Sequence, residues 1–148
     1  MSEPSKYLGI DFGLKRIGIA ITDESKTYSF ARDYILNDGK HFDKLLKLIK
    51  EENVSKLIIG YPVNFKSEKT EITLSVEKFS ETLKNKLINI SKSNPEIIFY
   101  DERLTSGIAQ HNIFASGLSN KKKKEKGLVD SVSAQIILQD YIDSLKNK

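Results

Sequence analysis

Apolar residues form short runs in the first quarter of the chain and then take on a helical period. Three runs rich in β-branched residues, at 7–12, 17–22 and 28–36, are separated by short polar or glycine-containing segments. Runs of this length with such connections predict three strands in an antiparallel meander. Apolar positions spaced three and four residues apart then predict a helix that begins after Asp38, as its N-cap, and ends near Asn53.

The second half of the chain alternates strands with helices. KLIIGY at 56–61 and EIIFY at 96–100 predict two further strands. Helices are predicted between and after them, at 72–90, 105–117 and 128–145. Strands that are joined by helical crossovers run parallel to one another. The pattern therefore predicts an α/β fold with a five-stranded mixed sheet, in which a three-strand antiparallel meander and two parallel strands are flanked by helices.

Composition narrows the possible chemistry. The chain has 148 residues with no Cys and two His, which excludes disulfides, thiolate zinc sites and a thiol nucleophile and leaves carboxylates and hydroxyls. Its length fits one domain over residues 1–148. No membrane-spanning stretch or signal peptide is evident, so we expect a cytoplasmic protein without a membrane partner. The net charge of +4 is a mild bias toward polyanions such as nucleic acid.

Acidic residues follow several of these elements. Asp11 ends the first predicted strand, and Asp101 and Glu102 follow the fifth. Asp130 lies at the start of the last helix. If the first strand is the parallel neighbour of the fourth, the carboxyl ends of the first, fourth and fifth strands share one edge, where open α/β sheets bind ligands. Converging carboxylates repel one another, and a divalent cation such as Mg²⁺ or Mn²⁺ offsets that repulsion.

Each acid also has a simpler structural explanation. Asp11 can stabilise a turn through the Gly13 backbone. The two acids after the fifth strand can pair with Arg103, and Asp130 can stabilise the N-terminus of its helix. These local explanations do not predict that all three groups converge at one edge.

Basic residues beside these acids are candidates for phosphate binding. Lys15 and Arg16 lie in the turn after the first strand, and Arg103 follows the acids of the fifth. A guanidinium can bind phosphate bidentately, but both arginines can equally well pair with the acids themselves. The lysine-rich segment at 121–126 is either a phosphate-tracking arm or a solvated segment. Its candidate phosphate contacts are Lys121, Lys122, Lys123 and Lys124.

Four segments together resemble the YqgF (RuvX) family. They read GIDFGLKRIGIAITDE, IIGYPVNFKSEKTE, FYDERLTSGIAQ and KKKKEKGLVDSVSAQIILQDY, and they follow the family's order over nearly the whole chain. The family has a ribonuclease H-like fold related to the RuvC-type Holliday junction resolvases, and its members are described as nucleases of pre-16S ribosomal RNA. The resemblance implies a metal-dependent endonuclease that hydrolyses nucleic-acid phosphodiesters, in maturation of the 5′ end of pre-16S rRNA.

The resemblance also implies which residues form the site. It matches the family's acids to Asp11, to Glu102 with Asp101 as the alternative, and to Asp130. In a two-metal mechanism, two divalent ions clamp the attacking water and the leaving oxygen. We expect Asp11 to bridge both ions, with the other two acids each holding one. Asn64, after the fourth strand, is the candidate substrate contact of its block, although the glycine that often follows in the family is absent here.

Three alternatives to an RNA-processing nuclease remain. A Holliday junction resolvase would use the same site as a homodimer, whereas RNA trimming is compatible with a monomer. A non-cleaving nucleic-acid-binding protein of ribosome assembly or transcription would keep the same fold and acidic edge. The GIDFG motif at 9–13 is also similar to the phosphate loop of the actin and sugar kinase superfamily, but those proteins close two such domains over ATP.

Overall fold

The computed structural model describes residues 4–90, 94–101 and 126–146. The predicted strands are confirmed, and so are the helices predicted from 38, 72 and 128, with small shifts at their ends; the helix predicted at 105–117 lies outside the described residues. The strands are β1 (Lys6–Asp11), β2 (Arg16–Thr22), β3 (Ser29–Leu36), β4 (Val54–Tyr61) and β5 (Glu96–Asp101), and the helices are α1 (His41–Glu51), α2 (Glu71–Ile90) and α3 (Lys126–Lys146).

The strands form one mixed sheet in the order β3-β2-β1-β4-β5. β1, β2 and β3 pair antiparallel in sequence, while β4 runs parallel to both β1 and β5. This arrangement confirms the meander with two added parallel strands. The ends of β1, β4 and β5 therefore lie together at one end of the sheet, which we call the carboxyl edge.

One face of the sheet packs against α1 and α2 mainly through branched aliphatic side chains, together with Phe79 of α2. Successive residues of a strand point to opposite faces, so every second residue of β1, β2 and β4 contributes to this layer. We call it the α1/α2 face. Its buried core consists of Leu8, Ile10, Ile17, Ile19, Ile21, Leu45, Ile49, Val54, Leu57, Ile59, Val76, Phe79, Leu83 and Leu87.

The opposite face packs against α3, and small residues let the helix approach β1 and β2 closely. A Cβ placed on Gly9 would lie 2.9 Å from both the carbonyl oxygen of Ala134 and the Cβ of Leu138. Only a glycine at this position allows the helix to approach the β1 backbone so closely. We call this side the α3 face; its buried cluster consists of Ala20, Ile58, Ala134, Ile137, Leu138, Tyr141 and Ile142.

The contacts of α3 fix its direction across the sheet. Tyr141, near the end of α3, lies with its ring centroid 6.3 Å from that of Tyr7, near the start of β1. Ala134, earlier in the helix, lies over Gly9, further along the strand. Because the two elements run in opposite directions, the N-terminal end of α3 lies toward the carboxyl edge. Ser131 Oγ donates to the Arg32 carbonyl oxygen at 2.8 Å, which ties this end to β3.

The start of α1 differs from the prediction. The N-cap position belongs to Lys40, which makes no side-chain capping bond, and not to Asp38. Asp38 Oδ1 instead accepts a hydrogen bond from the Lys40 backbone N–H at 3.0 Å, in the turn before the helix. The predicted N-cap is therefore close to the true start of the helix but two residues too early. The reason is that Asp also stabilises turns, and Asp38 does so here.

None of the helices within the described ranges has the length and apolar character needed to cross a membrane.

Candidate functional site

Asp11 is the last residue of β1 and lies at the carboxyl edge. It pairs with Gly18 of β2, and it is half-buried, whereas Leu8 and Ile10 before it are fully buried. Alternation along the strand puts Asp11 on the same side as Gly9, which is the α3 face. This carboxylate thus lies at the strand end, as its position in the sequence predicts, and the structure adds the face of the sheet on which it lies.

The turn between β1 and β2 is held against the end of β3. Asn37 Nδ2 donates to the Gly13 carbonyl oxygen at 3.0 Å, and the Asn37 backbone N–H donates to the Lys15 carbonyl oxygen at 3.0 Å. A Cβ on Gly13 would lie 2.3 Å from the Arg16 carbonyl oxygen, so the turn requires glycine. These contacts keep the exposed Lys15 and the half-buried Arg16 close to Asp11.

Arg16 lies beside an aromatic residue, Tyr34, for which the sequence predicts no role. Its guanidinium carbon is 5.6 Å from the ring centroid of Tyr34 in β3, which is the geometry of a cation–π contact. Arg16 alternates with Ile17 of the α1/α2 core, and Tyr34 alternates with Ile35, which packs against the same core. Arg16 and Tyr34 are therefore on the α3 face, as Asp11 is. No sequence signal marks Tyr34, because a tyrosine is ordinary in a strand.

Asp101 ends β5 at the carboxyl edge, opposite Tyr61 of β4. The Phe99 ring lies 4.8 Å from the Tyr61 ring, and the Tyr61 hydroxyl donates to Glu77 of α2 at 3.0 Å. Phe99 and Asp101 are two residues apart in the strand, so Asp101 is on the α1/α2 face. Asp11 and Asp101 therefore lie on opposite faces of the sheet.

Tyr100, between Phe99 and Asp101, is on the α3 face. Its hydroxyl donates to the Asp140 carboxylate of α3. Burial and this carboxylate together raise the pKa of Tyr100 well above its usual range, so it remains a neutral hydrogen-bond donor at physiological pH. The bond ties the penultimate residue of β5 to α3 and fixes the face of the sheet on which its side chain lies.

Asn64 organises the loop after β4. Its Oδ1 accepts hydrogen bonds from the backbone N–H groups of Lys66 and Glu68, both at 2.9 Å, and its own N–H donates to the Glu68 carbonyl oxygen at 3.1 Å. Phe65 is 96% exposed in this loop, beside the carboxyl edge. These contacts give Asn64 a structural role, and its contact with substrate stays a prediction.

Several predicted site residues lie outside the described part of the chain. Position 130 belongs to α3, one helical turn before Ala134. Within residues 4–90, 94–101 and 126–146, no three His, Cys, Asp or Glu side chains form a group that could hold a metal ion. Asp11 supplies the hard oxygen donors that Mg²⁺ and Mn²⁺ prefer, so the described part of the site fits such an ion but does not complete its ligands. The predicted site residues that lie outside the described ranges are Glu102, Arg103, Lys121, Lys122, Lys123 and Lys124.

The fold is similar to that of known resolvases. RuvC from T. thermophilus, solved with a Holliday junction substrate, superposes with a TM-score of 0.59 at 12% identity, over 97% of each chain. The fowlpox virus resolvase, solved with Holliday junction DNA, superposes with a TM-score of 0.60 at 16% identity, over 95% of this chain and 98% of that one. These likenesses identify the fold as that of RuvC-like, ribonuclease H-like proteins.

Relatives of similar length are closer in sequence. A protein of Sulfurihydrogenibium sp. named "Putative pre-16S rRNA nuclease" is 43% identical over 141 residues, which are 95% of this chain and 92% of that protein. A protein of the same name from Mycoplasmopsis synoviae is 38% identical over 145 residues, 95% of this chain and 99% of the other. The model of the RuvX family, described as Holliday junction resolvase, matches residues 5–144. The chain with Asp11 at its carboxyl edge therefore belongs to the RuvX family of nucleases.

Proposed function

We propose that this chain is an endonuclease that uses divalent metal ions to hydrolyse nucleic-acid phosphodiesters at the carboxyl edge, and that its substrate is the precursor of 16S rRNA. The observation that carries the proposal is the half-buried Asp11 at the end of β1, on the face where α3 packs directly against Gly9 of the same strand. A carboxylate in this position can hold a divalent ion and stays accessible to a phosphodiester. The names of the relatives support pre-16S rRNA as the substrate.

Asp11, Glu102 and Asp130 would hold Mg²⁺ or Mn²⁺ at this edge. Position 130 lies one helical turn before Ala134, and Ala134 lies over Gly9, so α3 brings position 130 toward Asp11. When bound, a pair of divalent ions supplies Lewis acidity to the attacking water and the leaving oxygen. This chemistry needs neither a Cys nucleophile nor a Ser–His pair, which agrees with a chain that has no Cys.

Strand alternation favours Glu102 over Asp101 as the second acid. Tyr100 bonds to α3, whereas Asp101 falls on the α1/α2 face, away from Asp11. If the alternation of β5 continued by one residue, position 102 would return to the face of Asp11. A ligand at 102 and a structural role for Asp101 are therefore the simplest assignment of the two acids.

The basic residues of this chain would bind and orient the substrate. Lys15 and Arg16 are held beside Asp11 by the bonded turn, and their positive charges attract backbone phosphates. Arg103 and the lysines at 121–124 are proposed as further phosphate contacts, and Asn64 as a contact from the loop after β4. Binding of this kind recognises the phosphate backbone and not the base sequence.

A Holliday junction resolvase is the second candidate. The description of the family model favours it, since it names that activity. The two activities differ in substrate and in symmetry: cutting a four-way junction at paired positions requires a dimer, and trimming one RNA end does not. A precursor RNA and a four-way DNA junction should therefore be compared directly as substrates.

The experiment is a cleavage assay of the purified protein on both substrates, with and without Mg²⁺ or Mn²⁺. We expect metal-dependent cleavage that Asp11→Asn lowers at least about 100-fold, because losing a metal ligand costs more than losing its supporting contacts. Mn²⁺ titration should show weaker binding for the same variant. Asp43→Asn, which removes an exposed carboxylate of α1, is the matched control and should keep full activity.

Three results would contradict the proposal. The first is cleavage that persists in EDTA, and the second is undiminished activity of Asp11→Asn. The third is tight binding of both substrates without turnover under either metal, which would instead support the non-cleaving nucleic-acid-binding protein.

A further inference from the structure

We propose that Tyr34 and Arg16 form a nucleotide subsite beside Asp11, in which Arg16 binds a backbone phosphate and the Tyr34 ring stacks with the unpaired base of the neighbouring nucleotide. This inference rests on the proposed function, because it concerns the substrate of the same site. It adds a specific requirement, which is that the substrate is single-stranded or unstacked where it crosses β2 and β3.

The three side chains occupy adjacent strands on one face of the sheet. Asp11 of β1 pairs with Gly18 of β2, and Arg16 lies two residues before Gly18 on the same side. Tyr34 of β3 follows, with its ring 5.6 Å from the Arg16 guanidinium carbon. Neighbouring strands are about 4.8 Å apart, so this row extends roughly 10 Å from the carboxylate to the outer strand.

The order of chemical groups along this row of three side chains suits a nucleic-acid strand. Asp11 provides oxygen donors, Arg16 a cation with a planar hydrogen-bonding fork, and Tyr34 an aromatic surface. A phosphate and its attached base present the complementary groups, an anion and a π-face. Aromatic side chains bind single-stranded nucleic acid in this way, and their stacking tolerates any base.

The position of Tyr34 leaves its ring available for a base. Its side chain is 42% exposed even though Arg16 lies against it. β3 is the outer strand of the sheet order, so no further strand of the sheet within the described residues covers it. An arginine that lies against an aromatic ring is also restrained in orientation, and this lowers the entropic cost of binding a phosphate.

Tryptophan fluorescence provides a direct test, because the chain has no Trp. Tyr34→Trp in the Asp11→Asn background, in which cleavage should be strongly reduced, would be titrated with a single-stranded RNA oligonucleotide and with a duplex of the same sequence. We expect quenching by the single strand and little by the duplex. Tyr28→Trp is the matched control: Tyr28 lies just before the other end of β3, is 62% exposed, and the indole introduced there should not be quenched.

The salt dependence of single-strand binding distinguishes the contribution of Tyr34 from that of Arg16. Tyr34→Ala should weaken single-strand binding by about 5- to 150-fold, the value of one base–aromatic stack, without changing the slope of log K against log salt. Arg16→Gln should reduce that slope by about 0.7, the value of one phosphate contact on a single strand. Tyr34→Phe keeps the ring and should bind as the wild type does.

The outcomes distinguish this inference from the proposed function. If the wild-type protein cleaves but the fluorescence of Tyr34→Trp is quenched no more than that of Tyr28→Trp, or if Tyr34→Ala binds normally, the subsite is wrong and the nuclease assignment stands. If Tyr34→Phe binds as weakly as Tyr34→Ala, stacking is also refuted. Selective quenching without any cleavage by the wild-type protein would support the subsite and overturn the nuclease proposal.

Discussion

The two faces of the sheet differ in what holds them together. The α1/α2 face is a larger and mainly apolar layer in which Leu83 of α2 is fully buried, with a hydrogen bond from Tyr61 to Glu77 of α2 near the carboxyl edge. The α3 face has Gly9 in close contact with the helix backbone, and hydrogen bonds join α3 to its strands, as between Ser131 and the Arg32 carbonyl oxygen. Burial of apolar area stabilises a fold without fixing exact positions, whereas close backbone contact and hydrogen bonds fix positions within a narrow range.

This difference between the faces agrees with the location of the proposed site. Asp11 and the proposed nucleotide subsite are on the α3 face, whose helix also carries position 130. A site that must bring carboxylates from separate elements to shared ions depends on accurate placement of those elements. We therefore expect mutations on the α1/α2 face to change stability alone, and mutations on the α3 face to change activity as well.

Leu83→Ala should give the largest loss of stability. Leu83 is fully buried on the α1/α2 face, and a buried leucine truncated to alanine costs about 2–5 kcal/mol. Activity per folded molecule should stay at the wild-type value. Denaturant unfolding and a cleavage assay at low temperature measure the two quantities. Leu74→Ala, on the same helix but 57% exposed, is the matched control and should change stability by less than about 0.5 kcal/mol.

Gly9→Ala should cost less stability but more activity. The added methyl group would meet the Ala134 carbonyl oxygen and the Leu138 Cβ at 2.9 Å, so α3 must shift, at a cost of about 1–3 kcal/mol. Because α3 carries position 130, the shift should lower cleavage about 10- to 100-fold in molecules that remain folded. Normal activity of folded Gly9→Ala, or an equal loss in Leu83→Ala, would remove the proposed difference between the faces.

The smallest effect should be a pH dependence on the α1/α2 face. His41 is buried there with its ring centroid 4.2 Å from that of Phe42, and burial lowers its pKa below 6.5, against a smaller opposing effect of Asp38. The unfolded chain thus takes up a proton at higher pH than the folded chain does. The contribution of His41 to stability is complete above about pH 6.5 and is lost as the pH falls toward its folded pKa.

Urea unfolding at pH 7.5 and pH 5.5 measures this loss. His41→Gln should reduce the difference in unfolding free energy between the two pH values, without changing cleavage at neutral pH. His111→Gln removes the other histidine of the chain and should leave the difference at its wild-type size. A pH dependence that survives in His41→Gln and disappears in His111→Gln would assign the effect to His111 and contradict this prediction.

Much of the fold could be predicted from the sequence because its signals are local. The helical period between the runs that became β4 and β5 predicts that these two strands are parallel, and the shared carboxyl edge followed on the assumption that β1 pairs in parallel with β4, which the structure confirms. Asp11 is the last polar residue of such a run, so its place at a strand end followed from the sequence, and its place at the shared edge followed from the assumed pairing of β1 with β4. Lys15 and Arg16 followed from the turn next to it.

The tertiary structure alone decided which side chains share a face and which of them meet. Asp101 is at the predicted edge but on the face away from Asp11, and this depends on how β5 pairs with β4. Tyr34 reaches Arg16 because Arg16 of β2 pairs with Leu36 of β3, two residues beyond Tyr34, and no periodicity encodes this register. Period and composition specify which residues are buried, while register and helix approach are set by contacts between distant parts of the chain, and those contacts place the groups of the site.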